Sequence, residues 1–137
     1  MKFAALAFAT IGAIAIGSLF VVALIPGFLC ENIFVEEVLS PSREMKAVVF
    51  QRKCASARDY ATQVSIHPAS TLLPMGIGNV FIANTNSGAA PSSPPGGPTV
   101  KVTWRTETHL ELSHHPNARV FLSETLIEGV TVEYDNR

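Results

Sequence analysis

CENIFVEEVLSPSREMKAVVFQRKC, residues 30–54, is the stretch that decides the fold, because it places two apolar, β-branched runs on either side of a polar turn. The runs are Ile33–Leu39 and Met45–Lys53, and the segment 40–44 between them contains Ser and Pro. Runs of this length, separated by turn residues, indicate two β-strands joined as a hairpin. A three-residue loop centred on Ser42 would set residue i opposite residue 84 minus i.

This register brings the two cysteines of the chain together. It sets Phe34 opposite Phe50 and Cys30 opposite Cys54. Cysteines that face each other across an antiparallel pair have Cα atoms within the range a disulfide accepts, roughly 4.4 to 6.8 Å. The sequence therefore predicts a Cys30–Cys54 disulfide in an oxidising compartment. An alternative stays open, in which Cys30 ends a preceding helix and both thiols are reduced.

Short apolar runs continue after the hairpin and alternate with polar residues. Val100, Val102 and Trp104 share one face of their run, and Val130, Val132 and Tyr134 share one face of another. Such alternation is typical of strands with one buried face. The runs that predict further strands are Thr62–His67, Asn79–Ala83, Val100–Arg105, Leu110–Ser113, Val120–Ser123 and Val130–Tyr134. The predicted fold is mostly β, a small antiparallel sheet or sandwich preceded by one N-terminal transmembrane helix.

The segment 84–99 separates two of these predicted strands. It is rich in Gly, Pro and Ser and contains no charged residue and no large apolar one. A segment of this composition has little to bury. The sequence therefore predicts a flexible Gly/Pro/Ser loop here.

The N-terminal run Phe3–Leu29 spans 27 residues without a charged side chain. A helix rising about 1.5 Å per residue would extend roughly 40 Å over this run, enough to cross a hydrocarbon core of about 30 Å. The run exceeds the apolar region of a secretory signal, about 7 to 15 residues, and no Ala-x-Ala site lies near its end. We therefore predict a transmembrane anchor over residues 1–30 that contacts the lipid bilayer through residues 3–29. A cleaved secretory signal and a lipid-modified Cys30 stay open as alternatives.

The charges that flank this run predict its orientation. The amino terminus and Lys2 precede it, whereas Glu31, Glu36 and Glu37 follow it before any Lys or Arg. By the positive-inside rule, the side that carries the positive charge stays in the cytoplasm. The sequence thus predicts a single-pass protein of the cell membrane. Residues 31–137 would form an extracytoplasmic β domain in the periplasm or outside the cell.

Charge and motifs exclude several classes of function. Of the ten Lys and Arg, one is Lys2, so residues 31–137 carry nine against eleven Asp and Glu. Nucleic-acid binding requires a basic stripe, which this balance does not provide. The sequence contains no Gly-x-Ser-x-Gly elbow, no phosphate-binding glycine loop and no Cys-x-x-Cys pair. It therefore predicts no catalytic residue, no cofactor and no identifiable small-molecule substrate.

Histidines give the one weak indication of a metal site. His109 precedes the adjacent pair His114 and His115, which Pro116 follows. Adjacent residues on a strand point to opposite faces, so both members of the pair can ligate one ion only if Pro116 starts a turn. A small metal-binding protein or enzyme that uses this region is the alternative hypothesis.

Part of the hairpin and the following strand match a known pattern. The matching residues are Ser40-Pro41, Lys46-Ala47-Val48-Val49-Phe50, Cys54 and Thr62-Gln63-Val64-Ser65-Ile66. This stretch resembles a family of small uncharacterised bacterial proteins, membrane-anchored or exported, and the resemblance implies an architecture and no activity. In that family Asp-Gly occupies the turn where Ser42-Arg43 stands here. Arg43 is therefore expected to adopt the left-handed conformation that Gly takes freely.

The absence of a reactive motif favours a binding role for the domain. We expect a non-catalytic domain that binds another envelope protein through an exposed strand edge.

Overall fold

The computed structural model describes residues 29–73 and 76–137 of the chain, and its described part is built of β-strands. The strands are β1 Cys30–Leu39, β2 Met45–Cys54, β3 Ala61–Pro68, β4 Phe81–Asn84, β5 Val100–Thr106, β6 His109–His114, β7 Arg119–Ser123, β8 Leu126–Ile127 and β9 Val130–Asp135. Each of the eight predicted strands corresponds to one of these, and β8 is additional. The predicted transmembrane run lies outside the described residues except for Leu29. Across residues 29–73 and 76–137, no helix has the length and apolar character needed to cross a membrane.

The strands form two sheets. Sheet 1 has the order β1-β2-β3-β4-β7, and sheet 2 has the order β5-β6-β9-β8. The chain completes four strands of sheet 1, makes β5 and β6 of sheet 2, returns to sheet 1 as β7 and ends in sheet 2. The mostly β prediction is confirmed for this part of the chain.

One pairing departs from the predicted antiparallel arrangement. β6 and β9 run parallel, with Leu110 beside Val132 and Leu112 beside Tyr134. The chain reaches β9 only after crossing to sheet 1 as β7, and such a crossover permits parallel neighbours. Apolar and polar residues alternate with a period of two in parallel and in antiparallel strands alike, so the sequence pattern did not reveal the parallel pairing.

The two sheets face each other across one hydrophobic core. Its strand members are Ala47, Val49, Val64, Ile66, Phe81 and Ala83 from sheet 1 and Val100, Val102, Leu110, Leu112, Val130 and Val132 from sheet 2. Trp104 and Tyr134 pack against this core, as the alternation predicted. The Trp104 ring nitrogen also donates a hydrogen bond to the carbonyl of Val38, at 2.9 Å, and so links β5 to β1.

The hairpin of β1 and β2 forms as predicted, but at its turn Ser40 donates its backbone N–H to the carbonyl of Met45 at 2.9 Å, a pairing one residue away from the predicted register. The two strands are neighbours in sheet 1, and Cys30 and Cys54 are joined in a disulfide. Arg43 adopts the left-handed conformation expected of it, with a φ of 67°. The turn also contacts sheet 2, because the Ser42 hydroxyl donates to Glu107 at 2.7 Å, and this contact lowers the pKa of Glu107.

The segment 84–99 makes contacts that its composition did not predict. Ala90 is buried, and the side-chain oxygen of Gln51 accepts hydrogen bonds from the backbone of Gly96 and Gly97, at 3.0 and 2.7 Å. The Thr62 hydroxyl donates to the carbonyl of Pro98 at 2.6 Å. Flexibility of this segment stays a prediction, and these contacts define where its second half attaches to β2 and β3.

Candidate binding surfaces

The three histidines proposed as weak metal ligands do not converge. The His109 ring lies 3.0 Å from Glu133 on the neighbouring strand. The His114 ring packs on Phe81 with 5.1 Å between ring centroids, and the His115 ring accepts a hydrogen bond from the backbone of Asn117 at 3.1 Å. Throughout the described ranges, no three His, Cys, Asp or Glu side chains gather into a group that could hold a metal ion.

A shallow polar groove lies on the solvent face of sheet 2. One part of it, of about 440 Å³, is lined by Lys101, Thr103, Arg105, Glu111, Ser113, Asp135 and Arg137. Its charges are largely paired: Arg105 contacts Glu111 at 2.7 Å, and Arg137 contacts Asp135 at 2.9 Å. Ion pairs exposed in this way are typical of a solvated strand face.

The outer face of sheet 1, on the side away from the core, is covered by the connection from β3 to β4. Val48 and Phe50 alternate with the core residues of β2, yet they are only 1% and 2% exposed. Within the connection, Thr71 accepts a hydrogen bond from the side chain of Lys46, which shares this face with Val48 and Phe50. Gly78 donates its backbone N–H to the side chain of Gln63 at 2.7 Å. The covered face therefore forms a second, smaller buried layer.

Two contacts fix where this connection crosses the sheet. The ammonium of Lys46, which is buried, donates to the carbonyl of Thr71 and lies 3.3 Å from Glu37 on β1. The side chain of Asn32, near the start of β1, donates to the carbonyl of Gly76 at 2.9 Å. The connection is thus tied to β2 near the hairpin turn and to β1 near the disulfide.

The same connection presents large apolar side chains to solvent. Leu72 is 88% exposed, Ile77 is 65% exposed, and Leu73 is half-exposed. Phe34 of β1, 51% exposed, lies in sequence between Asn32 and Glu37, the two β1 residues at the contacts that fix the connection. We call Phe34, Leu72, Leu73 and Ile77 the apolar surface. Exposed apolar side chains that form a patch often mark a contact site, and these four belong to one connection and to a strand that it contacts.

A second exposed apolar group lies on β7, which is an edge of sheet 1. Val120 and Phe121 are consecutive and both are exposed, and Phe121 is the extra residue of a β-bulge, since Ala83 pairs with Val120 and Ile82 with Leu122. Arg119 lies over the Phe121 ring at 5.4 Å. β7 pairs only with β4 in the described sheets, so the other side of its backbone is an open edge.

The disulfide end of the hairpin carries polar and cationic groups. The Arg52 side chain donates to Asn32 at 2.8 Å, a pair that the predicted register sets opposite each other. The Lys53 ammonium lies 5.4 Å from the centre of the Tyr60 ring, and the Tyr60 hydroxyl donates to Glu31 at 3.1 Å. Desolvation of Tyr60, together with this contact to Glu31, raises the pKa of Tyr60.

Sequence reasoning missed the apolar surface and described β7 only as a strand. The sequence feature that could have indicated the apolar surface is the pair Leu72-Leu73, with Ile77 nearby, in a segment that also contains Pro and Gly. Apolar residues in such a connection have no period that assigns them to a core. Their exposure becomes visible only in the folded domain, where the connection contacts the outer face of sheet 1 and leaves these side chains in solvent.

In comparisons with known proteins, no family model, no curated protein and no solved structure matches this chain. The resemblance of residues 40–66 to the family of bacterial envelope proteins therefore stays a prediction.

Proposed function

We propose that this protein is a non-catalytic binding domain that residues 3–29 tether to the bacterial cell membrane, with residues 31–137 outside the cytoplasm. Its role is to bind another envelope protein by accepting a strand at the open edge of β7. The exposed edge of β7 is the observation that carries this proposal. Main-chain hydrogen bonds to such an edge provide affinity, and exposed side chains on either side provide specificity.

The edges of the two sheets differ in how well charge protects them. The edge strand β1 carries Glu31, Glu36 and Glu37, and the edge strand β5 carries Lys101 and Arg105. Charges of this kind are a common protection against unwanted strand pairing. The sequence of β7, in contrast, has one charge at its first residue, followed by Val-Phe-Leu-Ser. The remaining edge, β8, is only two residues long, so β7 is the longer edge that charge protects least, and its exposed backbone is interrupted by the bulge at Phe121.

The disulfide supports the proposed location. A Cys30–Cys54 bond persists in the periplasm or outside the cell, whereas the cytoplasm keeps most thiols reduced. The charge asymmetry of Lys2 against the glutamates of β1 points the same way. The metal-binding alternative is not carried further, because the described histidines share no site.

Site-specific photo-crosslinking in intact cells tests the proposed edge. We expect Phe121→p-benzoylphenylalanine in the full chain to give one discrete crosslinked product with an envelope protein. A second change, Val120→Lys, places a charge on the edge and should reduce that product several-fold. Leu126→p-benzoylphenylalanine is the matched control, since Leu126 is 64% exposed and Phe121 is 56% exposed.

Three results would contradict an envelope partner at β7. One is the same product from both positions, and another is a product that Val120→Lys leaves unchanged. The third is a product of twice the mass of the chain, which would assign the edge to a second copy of this protein.

A further inference from the structure

The apolar surface is not used by the proposed partner edge, because it belongs to β1 and to the connection from β3 to β4. We propose that it rests on the lipid bilayer, so that the domain lies with the outer face of sheet 1 against the membrane that holds its tether. This inference rests on the proposed membrane tether and adds an orientation and a second contact to it.

The position of the tether is the first argument for lipid as the occupant. The uncharged run Phe3–Leu29 ends one residue before β1, and Leu29 itself is half-exposed. From Leu29, Phe34 is five residues along the chain, a reach of about 17 Å at roughly 3.3 Å per residue. Ile77 is nearer still, because its neighbour Gly76 is bound to Asn32. Phe34 and Ile77 are thus within reach of a bilayer that the tether would cross.

The composition of the surface is the second argument. Phe, Leu and Ile side chains that project from a surface are the groups that enter the boundary between headgroups and acyl chains. The ammonium of Lys46 lies 3.3 Å from Glu37, so the charges of these two side chains offset each other.

The charge of β1 indicates which interaction would hold the apolar surface on the bilayer. Glu36 is exposed on β1 and disfavours anionic headgroups. Apolar burial, rather than attraction to anionic lipid, must therefore provide the affinity. A bilayer of zwitterionic phosphatidylcholine is the appropriate probe, because it has no net charge and therefore tests apolar burial alone.

Quenching by brominated lipid measures the contact in the full chain. The protein is reconstituted into phosphatidylcholine vesicles with or without bromine on the acyl chains near the headgroup. Ile77→Trp and Leu126→Trp are the matched pair, since the two positions are 65% and 64% exposed. Trp104 stays in place in both, and its signal in the parent protein is subtracted. Far-ultraviolet circular dichroism verifies that each variant is folded.

We expect brominated lipid to reduce the added fluorescence of Ile77→Trp by about half, as for an interfacial indole, and to leave that of Leu126→Trp unchanged. Equal fluorescence of Ile77→Trp in both lipids would overturn the inference. A blue shift that follows protein concentration and ignores bromine would also overturn it, and would assign the surface to a second copy of the chain.

Flotation of the same vesicles separates the two proposals. A parent chain that floats with the vesicles while Ile77→Trp escapes quenching would leave the tether intact and refute only the bilayer contact. A parent chain that fails to float would refute the tether, and the inference with it.

Discussion

At the scale of single residues, the hydroxyl of Tyr134 links the two sheets. It lies 2.6 Å from the carbonyl of Glu124, after β7, and 3.2 Å from that of Val80, before β4. Tyr134→Phe removes the donor to both carbonyls and leaves the ring in place. Because a net hydrogen bond is worth about 1 kcal/mol, we expect the free energy of unfolding to fall by about 1 to 2 kcal/mol in urea titrations.

The control for this change is Tyr60→Phe, whose lost hydrogen bond to Glu31 is exposed to solvent. Exposed polar contacts contribute little, so its loss of stability should stay below about 0.5 kcal/mol. Equal losses in the two variants would show that the hydroxyl of Tyr134 does not join the sheets.

The same hydroxyl predicts how stability responds to alkaline pH. Burial, with a smaller contribution from the charge of Glu124, raises the pKa of Tyr134 from its ordinary value of 10.0 to about 12. The unfolded chain therefore releases this proton at a lower pH than the folded protein does. The contribution of Tyr134 is fully present below pH 10 and is lost between pH 10 and about 12. Over that range, the parent should lose stability more steeply than Tyr134→Phe.

At the scale of elements, Gly97 fixes how closely the segment 84–99 approaches sheet 1. A Cβ on Gly97 would lie 2.5 Å from the hydroxyl of Thr62 and 3.0 Å from the side-chain carbonyl carbon of Gln51. Both neighbours are buried and hydrogen-bonded to this segment, so they have little room to move. We expect Gly97→Ala to reduce the free energy of unfolding by about 1 to 3 kcal/mol in urea titrations.

Gly76→Ala is the matched control, because a Cβ at Gly76 would meet nothing within 4 Å. Its effect should stay within about 0.5 kcal/mol. A Gly97→Ala variant as stable as Gly76→Ala would mean that the segment does not approach β2 and β3 closely in solution.

The strands were predictable from the sequence, whereas the hydrogen bonds that connect them to distant parts of the chain were not. Alternation identified β5 and β9 and their buried faces, because burial of one face of a strand requires a period of two. Gln51 gave no such signal, since a polar residue in a strand usually reaches solvent. Its burial depends on Gly96 and Gly97, which lie 45 and 46 residues further along the chain. Contacts of that sequence separation have no local pattern.

At the scale of the whole molecule, the sequence left two things open: the relative direction of paired strands and the binding partner of the domain. A short turn defines the pairing of β1 with β2, whereas the parallel pairing of β6 with β9 depends on the path through β7. β7 and the connection from β3 to β4 carry exposed apolar residues. In the described part of the chain, the packing of these residues does not indicate their function. The candidate surfaces therefore became visible only in the folded domain.

The location of the whole domain can be measured through its two cysteines. Because Cys30 and Cys54 are joined, a membrane-impermeant maleimide applied to intact cells should label the chain only after reduction. Cys30→Ser leaves Cys54 without its disulfide partner and should label without reduction, provided that residues 31–137 lie outside the cytoplasm. The double variant Cys30→Ser/Cys54→Ser should not label at all. Labelling of Cys30→Ser that requires lysis of the cells would place the domain in the cytoplasm and contradict both the proposed orientation and an envelope partner.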